Sequence, residues 1–169
     1  SAIAARTIQK EVGASLKIAV IDLDVHQGNG TASILQNDDS IFTLSIHGEN
    51  NFPFKKENSD LDFGLADGCD DQVYLHSLNA CLEQLDMRFK ANCLIFLAGA
   101  DPHEGDRLGR LKVTKEGMRL RDEMVFQYAL DRQLPVAFSM AGGYGKEIES
   151  TVGIHFQTIK TALQFQSRY

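Results

Sequence analysis

The 169-residue sequence has no long basic run, no apolar stretch approaching a membrane span, and no linker rich in proline, glycine or serine. Each absence narrows the reading. With no basic run and a net charge of −6, nothing favours electrostatic binding to nucleic acid. A span needs about 20 apolar residues, so no membrane partner is expected. The opening residues Ser1-Ala2-Ile3-Ala4-Ala5-Arg6 lack the charged and apolar regions of a signal peptide. They also lack an initiator methionine, so the chain is not expected to start where its gene does. Cysteine is scarce. Cys69, Cys81 and Cys93 are widely spaced and form no Cys-x-x-Cys pair. They read as reduced thiols of a cytoplasmic protein, with Cys81 and Cys93 as small core residues. No repeat or composition shift marks a boundary, so residues 1–169 read as a single α/β domain.

What is present is ordinary globular material, 43% hydrophobic and 24% charged, enough for a core. Helix and strand signals alternate. Residues 2–11 read as a helix stopped at Gly13. Lys17 to Leu23 reads as a buried strand, Gly30 to Gln36 as a short helix, and Ser40 to Ile46 as a strand. Residues 47–69 are irregular, with Leu61 to Leu65 extended, and a loop that long is often functional. In residues 70–90, Tyr74, Leu78, Cys81, Leu82, Leu85 and Phe89 recur at helical spacing. Cys93 to Ala98 is a strand, Thr114 to Arg132 a helix, Pro135 to Met140 a strand and Lys146 to Phe165 a helix. This alternation implies a mostly parallel sheet in a three-layer α/β/α arrangement.

The richest chemistry lies in Asp22-Leu23-Asp24-Val25-His26-Gln27-Gly28-Asn29-Gly30, directly after Ile18-Ala19-Val20-Ile21. Side chains two apart on an extended chain point to one side, so Asp24 and His26 can converge. A catalytic zinc site uses three protein ligands and keeps one position open. Ligands of parallel sheets bind beyond the carboxyl ends of the strands, and each strand here ends in polar or glycine-rich residues. After the second come Ser45 and His47, after the third Gly99-Ala100-Asp101-Pro102, and after the fourth Ala141-Gly142-Gly143-Tyr144-Gly145. Asp101 is therefore the expected third ligand. Asp22, inside an apolar strand, needs partners and reads as a support or monovalent-cation residue beneath the metal. Gly142-Gly143 favours a tight turn that aims the Tyr144 phenol at an oxyanion. His47 and His103 are read in loops near the crevice. His76 is read as solvated, His155 as structural, and Glu104 and Asp106 as parts of a solvated turn.

Taken in order, Asp22 to Gly30, Ser45-Ile46-His47-Gly48, Gly99-Ala100-Asp101-Pro102 and Gly142-Gly143-Tyr144 resemble the motifs of the histone deacetylase family, which has the arginase/deacetylase fold. Gln27, Asn29 and Gly48 to Phe54 look nearest to its class IV branch and bacterial relatives. The resemblance implies that Asp24, His26 and Asp101 bind a divalent metal, usually zinc, with iron(II) also suited to such a set. It implies that Tyr144 is catalytic. Asp22 and Ser45, with backbone carbonyls of Asp24, His26 and Ile46, would hold potassium. Leu35, Asp38 and Ile41 would contribute loosely to a second potassium site. Phe52, Leu108, Gly142 and Gly143 would line an acyl-lysine tunnel.

The implied reaction is hydrolysis of acetyl-lysine or a related acylated amine by metal-activated water. The family also uses two adjacent histidines upstream of these motifs. Here His26, His47, His76, His103 and His155 are all isolated, and in the family Asp22 and Asn29 would support the missing pair. The resemblance therefore makes the chain the C-terminal part of a deacetylase-like catalytic domain, with an incomplete sheet. Loss of a proton-transfer group costs roughly 10²–10⁴-fold in rate. Two further readings stand beside this one, a non-catalytic metal-binding or interaction module and, ranked last, an arginase-like hydrolase with two manganese ions. The expected partners are an acylated substrate and either the missing half-domain or a second copy of this chain.

Overall fold

The structure is a computed structural model that describes residues 1–168. Its elements run α1 (Ala2–Val12), β1 (Ile18–Asp22), α2 (Asn29–Leu35), β2 (Ile41–Gly48), β3 (Leu61–Leu65), α3 (Asp71–Arg88), β4 (Cys93–Ala98), α4 (Lys115–Asp131), β5 (Val136–Met140) and α5 (Ile148–Gln166). Alternation along the central strand explains the layers. Ala19, Ile21 and Leu23 pack on one face with Tyr74 and Leu78 of α3, Val125 and Phe126 of α4, and Ile154 and Phe165 of α5. Ile18 and Val20 pack on the other face with Ala2 and Ala5 of α1 and Leu35 of α2. A strand covered on both faces reads as a continuous apolar run rather than an alternating one, and all five residues of β1 are buried.

All strand pairings in the five-stranded sheet are parallel, in the order β3-β2-β1-β4-β5. The chain winds outward from β1 through β2 to β3, then returns to place β4 on the opposite side of β1. The strand order therefore reverses between β1 and β4, and such a switch point opens a crevice at the carboxyl ends of the two strands. Asp22 is level with Leu97 across this pair. The loops carrying Asp24 and Asp101 thus emerge side by side.

Element boundaries match the sequence pattern to within a few residues, with one informative difference. β2 runs on to Gly48, so His47 lies on a strand and is buried, not in a loop. The helix starts are secured by side chains. Asp70 accepts the Val73 N–H at the start of α3, and Thr114 accepts the Gly117 N–H at the start of α4. Asp71 in turn accepts both the backbone N–H and the hydroxyl of Thr114, at 2.7 and 2.6 Å. The two helices are therefore capped as one unit. All three cysteines are buried free thiols.

One side of the sheet is thinly dressed. In β5, Ala137, Ser139 and Met140 are exposed. On α5, Ile148, Val152, Phe156, Ile159 and Leu163 recur at helical spacing and are 67%, 58%, 65%, 42% and 60% exposed. A stripe of that kind normally faces another element. The 169-residue chain should bind an apolar-surface dye and associate with rising concentration, and Phe156→Asp or Leu163→Asp should weaken both effects. A monodisperse monomer that binds no dye in light scattering and fluorescence would contradict this.

Candidate metal centre

The loop after β1 builds its own curvature. Asp22 Oδ1 accepts the Asp24 N–H at 3.1 Å, and Asp24 Oδ1 accepts the His26 N–H at 2.9 Å. Each aspartate bonds the backbone two residues on, the habit that makes this residue a turn former. Asp24 and His26 converge through these two turns, not through the extended chain that the spacing predicts. The result is the same neighbourhood. One ligand atom from each of Asp24, His26 and Asp101 lies within 4.8 Å of the others.

The three loops are laced together through the carboxylates. Asp101 Oδ1 accepts the Val25 N–H at 2.8 Å, which joins the β4 loop to the β1 loop. Asp24 Oδ2 accepts the Gly142 N–H at 2.6 Å, which joins the β1 loop to the β5 loop. The Gly142 carbonyl accepts the Ala100 N–H at 2.6 Å and closes the triangle. Two glycines make this approach possible. A Cβ at Gly99 would lie 2.7 Å from the Asp24 Cα and 2.9 Å from an oxygen of Asp101. A Cβ at Gly142 would collide with the carboxylates of Asp101 and Asp24.

The electrostatics are those of a cation site. His26 Nδ1 lies 3.0 Å from Asp24 Oδ1 and 3.2 Å from Asp101 Oδ2. The Asp101 and Asp24 carboxylates push the imidazole pKa up to about 10, so the ring carries a proton at neutral pH. Burial drives Asp101 up to about 6, opposed by the His26 contact. Burial also raises Asp24, but hydrogen bonds from His26 and Gly142 outweigh it and hold the group below its usual range. Asp101 Oδ2 is buried and has no well-aligned hydrogen-bond donor. An uncompensated carboxylate oxygen inside a protein is costly. The donor set of two carboxylates and one imidazole fits a divalent ion of the zinc or iron(II) type.

The other residues singled out in the sequence are placed as follows. Asp22 and Ser45 are buried register partners across β1 and β2, and burial pushes Asp22 up to about 7. Ile46 is fully buried. The Ser45 hydroxyl lies 3.1 Å from His47 Nδ1. Leu35, Asp38 and Ile41 share the turn between α2 and β2, where Asp38 accepts from Ser40 and pairs with Arg6. Phe52 and Leu108 are exposed, and the Asn51 side chain donates to the Leu108 carbonyl at 2.8 Å and draws their two loops together. The Tyr144 side chain is 56% exposed. His76 and Glu104 are exposed. His103 is buried, and its Nδ1 accepts the Gly105 N–H.

Asp106 requires a correction. It is not part of a solvated turn but is buried. Its Oδ1 accepts the Leu108 and Gly109 N–H groups at 2.8 and 2.9 Å, and its Oδ2 accepts the Tyr144 N–H at 2.6 Å. Arg107 donates to the Tyr144 carbonyl from its backbone and from Nε. Residues 106 and 107 thus grip both sides of the Tyr144 backbone. Asp106 followed by Gly109 is a turn signal that points to the first of these roles. Only the fold brings Tyr144 to it.

The histone deacetylase domain matches residues 1–159. The chain belongs to the histone deacetylase family. It is 47% identical over 154 residues to an uncharacterized protein of Picosynechococcus sp., covering 91% of this chain and 51% of that protein. It is 30% identical over 155 residues to histone deacetylase 2 of Arabidopsis thaliana, covering 90% of this chain and 40% of that protein. The chain therefore spans about half the length of the curated relatives it matches. Among solved structures, an HDAC homolog from Aquifex aeolicus superposes with a TM-score of 0.79 at 22% identity, covering 94% of this chain and 44% of that one. Acetylpolyamine aminohydrolase from Burkholderia pseudomallei does so with a TM-score of 0.79 at 23% identity, covering 95% and 48%. Identities this low establish the shared fold.

Asp22 gives this family member a pH signature. Its folded pKa of about 7 lies above the ordinary 3.8. The neutral carboxyl is the form that the fold prefers. Its contribution to stability is complete below the unfolded value and is lost as pH rises through about 7. In tetramethylammonium buffer with chelator, the melting temperature of the wild type relative to Asp22→Asn should fall from pH 4 to about pH 7 and then level off. A difference independent of pH would refute this.

Proposed function

We propose that this chain carries the metal-binding part of a zinc-dependent deacylase that hydrolyses acetyl-lysine or a related acylated amine. One observation carries the reading: Asp24, His26 and Asp101 meet at the switch point of the sheet, with a buried Asp101 oxygen left without an aligned donor. The substrate class is supported by the relatives. One solved HDAC homolog is complexed with SAHA, and one neighbour of the same fold is an acetylpolyamine aminohydrolase.

Asp24, His26 and Asp101 would hold the zinc ion, which when bound polarises an amide carbonyl and acidifies a water molecule. His26 would present Nδ1, the nitrogen that already faces both carboxylates. The Tyr144 phenol would donate a hydrogen bond to the carbonyl oxygen as negative charge develops there. Asp106 and Arg107 would fix the backbone from which that phenol swings. Phe52 and Leu108 would flank the acylated stem, with Gly142 and Gly143 leaving room beside the ligands. Asp22 and Ser45, with carbonyls of Asp24, His26 and Ile46, would hold potassium. A monovalent cation there would favour the ionised form of Asp22.

No two histidines of this chain are adjacent, so proton transfer by such a pair would have to come from elsewhere. We take residues 1–169 as the C-terminal part of the catalytic domain. The open edge of β5 and the apolar stripe of α5 would receive the complementary part or a second copy. The three buried thiols fit a reducing, cytoplasmic setting. A non-catalytic metal-binding module is the second reading, favoured by the missing histidine pair and the exposed Tyr144 side chain. A two-manganese centre has no support, since the described residues hold one such group of three.

A zinc titration against a chromophoric chelator tests the site. One ion should bind per chain and displace the His26 proton, so apparent affinity should rise about tenfold per pH unit between pH 6 and 9. Asp101→Asn should weaken binding by about 100-fold or more. Stoichiometric binding that is indifferent to both pH and Asp101→Asn would place the metal elsewhere.

A further inference from the structure

Beneath the metal centre lies a fully buried arginine that the proposed chemistry does not use. Arg121 sits on the inward face of α4 and is 0% exposed. Its Nη1 donates to the Gly99 carbonyl at 2.5 Å and reaches the Leu23 carbonyl at 3.5 Å. Leu23 is the residue before Asp24, and Gly99 lies two residues before Asp101. Both carbonyls lie past the ends of their strands, and neither accepts a backbone N–H among the described residues. A buried carbonyl requires a donor, and one guanidinium nitrogen serves both.

The other side of the guanidinium is anchored. Nε and Nη2 lie 2.9 and 2.7 Å from Asp122 Oδ1, and Asp122 Oδ2 accepts the Thr158 hydroxyl of α5 at 2.6 Å. Asp122 and Thr158 are each 1% exposed. The guanidinium carbon lies 5.8 Å from the Phe96 ring centroid, and the Tyr74 phenol lies close by without a well-aligned hydrogen bond. A charge-bearing chain thus runs from α5 through α4 to the two loops that carry the ligands. A planar, forked donor suits this task because its nitrogens are fixed relative to one another.

We propose that Arg121 is a positioning residue for the metal centre, setting the spacing of the Asp24 and Asp101 loops through their backbone carbonyls, with Asp122 and Thr158 holding it in register. This rests on the reading of Asp24, His26 and Asp101 as ligands. Arg121 itself touches neither ion nor substrate. Partners that orient ligands without touching the metal typically cost about 10–100-fold in metal affinity when lost.

The test is zinc affinity of the 169-residue chain, by chelator competition at a temperature well below melting, beside melting curves in chelator. Arg121→Lys keeps the charge but loses the fork. It should bind zinc about 10–100-fold more weakly while its folded baseline is retained. Thr158→Val is the milder variant and is read if Arg121→Lys does not fold. It should lose affinity in the same direction by a smaller factor. A purely structural arginine would lower the melting temperature and leave the zinc constant of the folded protein unchanged, and that result overturns the proposal. If wild-type chain binds no zinc, the ligand reading fails and the positioning role falls with it. If wild type binds and Asp101→Asn does not, while Arg121→Lys and Thr158→Val both match wild type, the ligand reading stands and the positioning role is refuted.

Discussion

The carboxylate of Asp101 has to meet two demands at once. One oxygen accepts the Val25 N–H and ties the end of β4 to the loop after β1. The other is buried with no aligned donor and faces the His26 ring. A fully buried carboxylate is tolerated only when its charge is matched. Much of the surrounding structure serves that requirement. Gly99 and Gly142 lack the side chains that would intrude. Asp24 is held from below by its own turn and from above by the Gly142 N–H. The strand ends are brought level because β1 and β4 pair in register at the point where the sheet order reverses.

A positive charge is what the two carboxylates of the site favour, and the His26 ring supplies one. The imidazolium sits between two carboxylates, and their attraction raises its pKa to about 10. Proton and metal would compete for the same nitrogen. The ring nitrogen that would face a metal already faces both carboxylates, at 3.0 and 3.2 Å. Asp22 is a separate matter. It lies on the strand itself, and burial raises its pKa to about 7, so it is about half protonated at neutral pH. The same stretch of chain thus holds one carboxylate that stays ionised and one that readily takes up a proton, because Asp24 receives hydrogen bonds from His26 and Gly142 and Asp22 receives one from Asp24.

Much of this was legible in the residues. Central strands buried on both faces appear as unbroken apolar runs, so β1 and β4 stand out. The polar endings of four strands point to one edge of the sheet, and the parallel order then brings the loops after β1 and β4 together. Other features were not legible. His47 looks like a loop residue because a histidine interrupts the apolar pattern, yet its strand continues to Gly48. Asp106 looks solvated because its three backbone donors include Tyr144, 38 positions away in sequence. Arg121 and Asp122 look like an ordinary charged pair on a helix surface. Their burial depends on carbonyls from strand ends more than 20 positions away, and no local pattern announces that. The exposed stripe of α5 is the converse case, since its period reads as a core-facing helix and yet it stays largely exposed among the described residues.

Anomalous X-ray scattering at the zinc absorption edge addresses the metal centre most directly, in crystals grown with zinc and without chelator. A zinc-binding site of this kind requires one strong peak about 2.0–2.2 Å from His26 Nδ1 and from oxygens of Asp24 and Asp101. Crystals that place zinc only on surface groups, with His26 still paired to the two carboxylates, would contradict it.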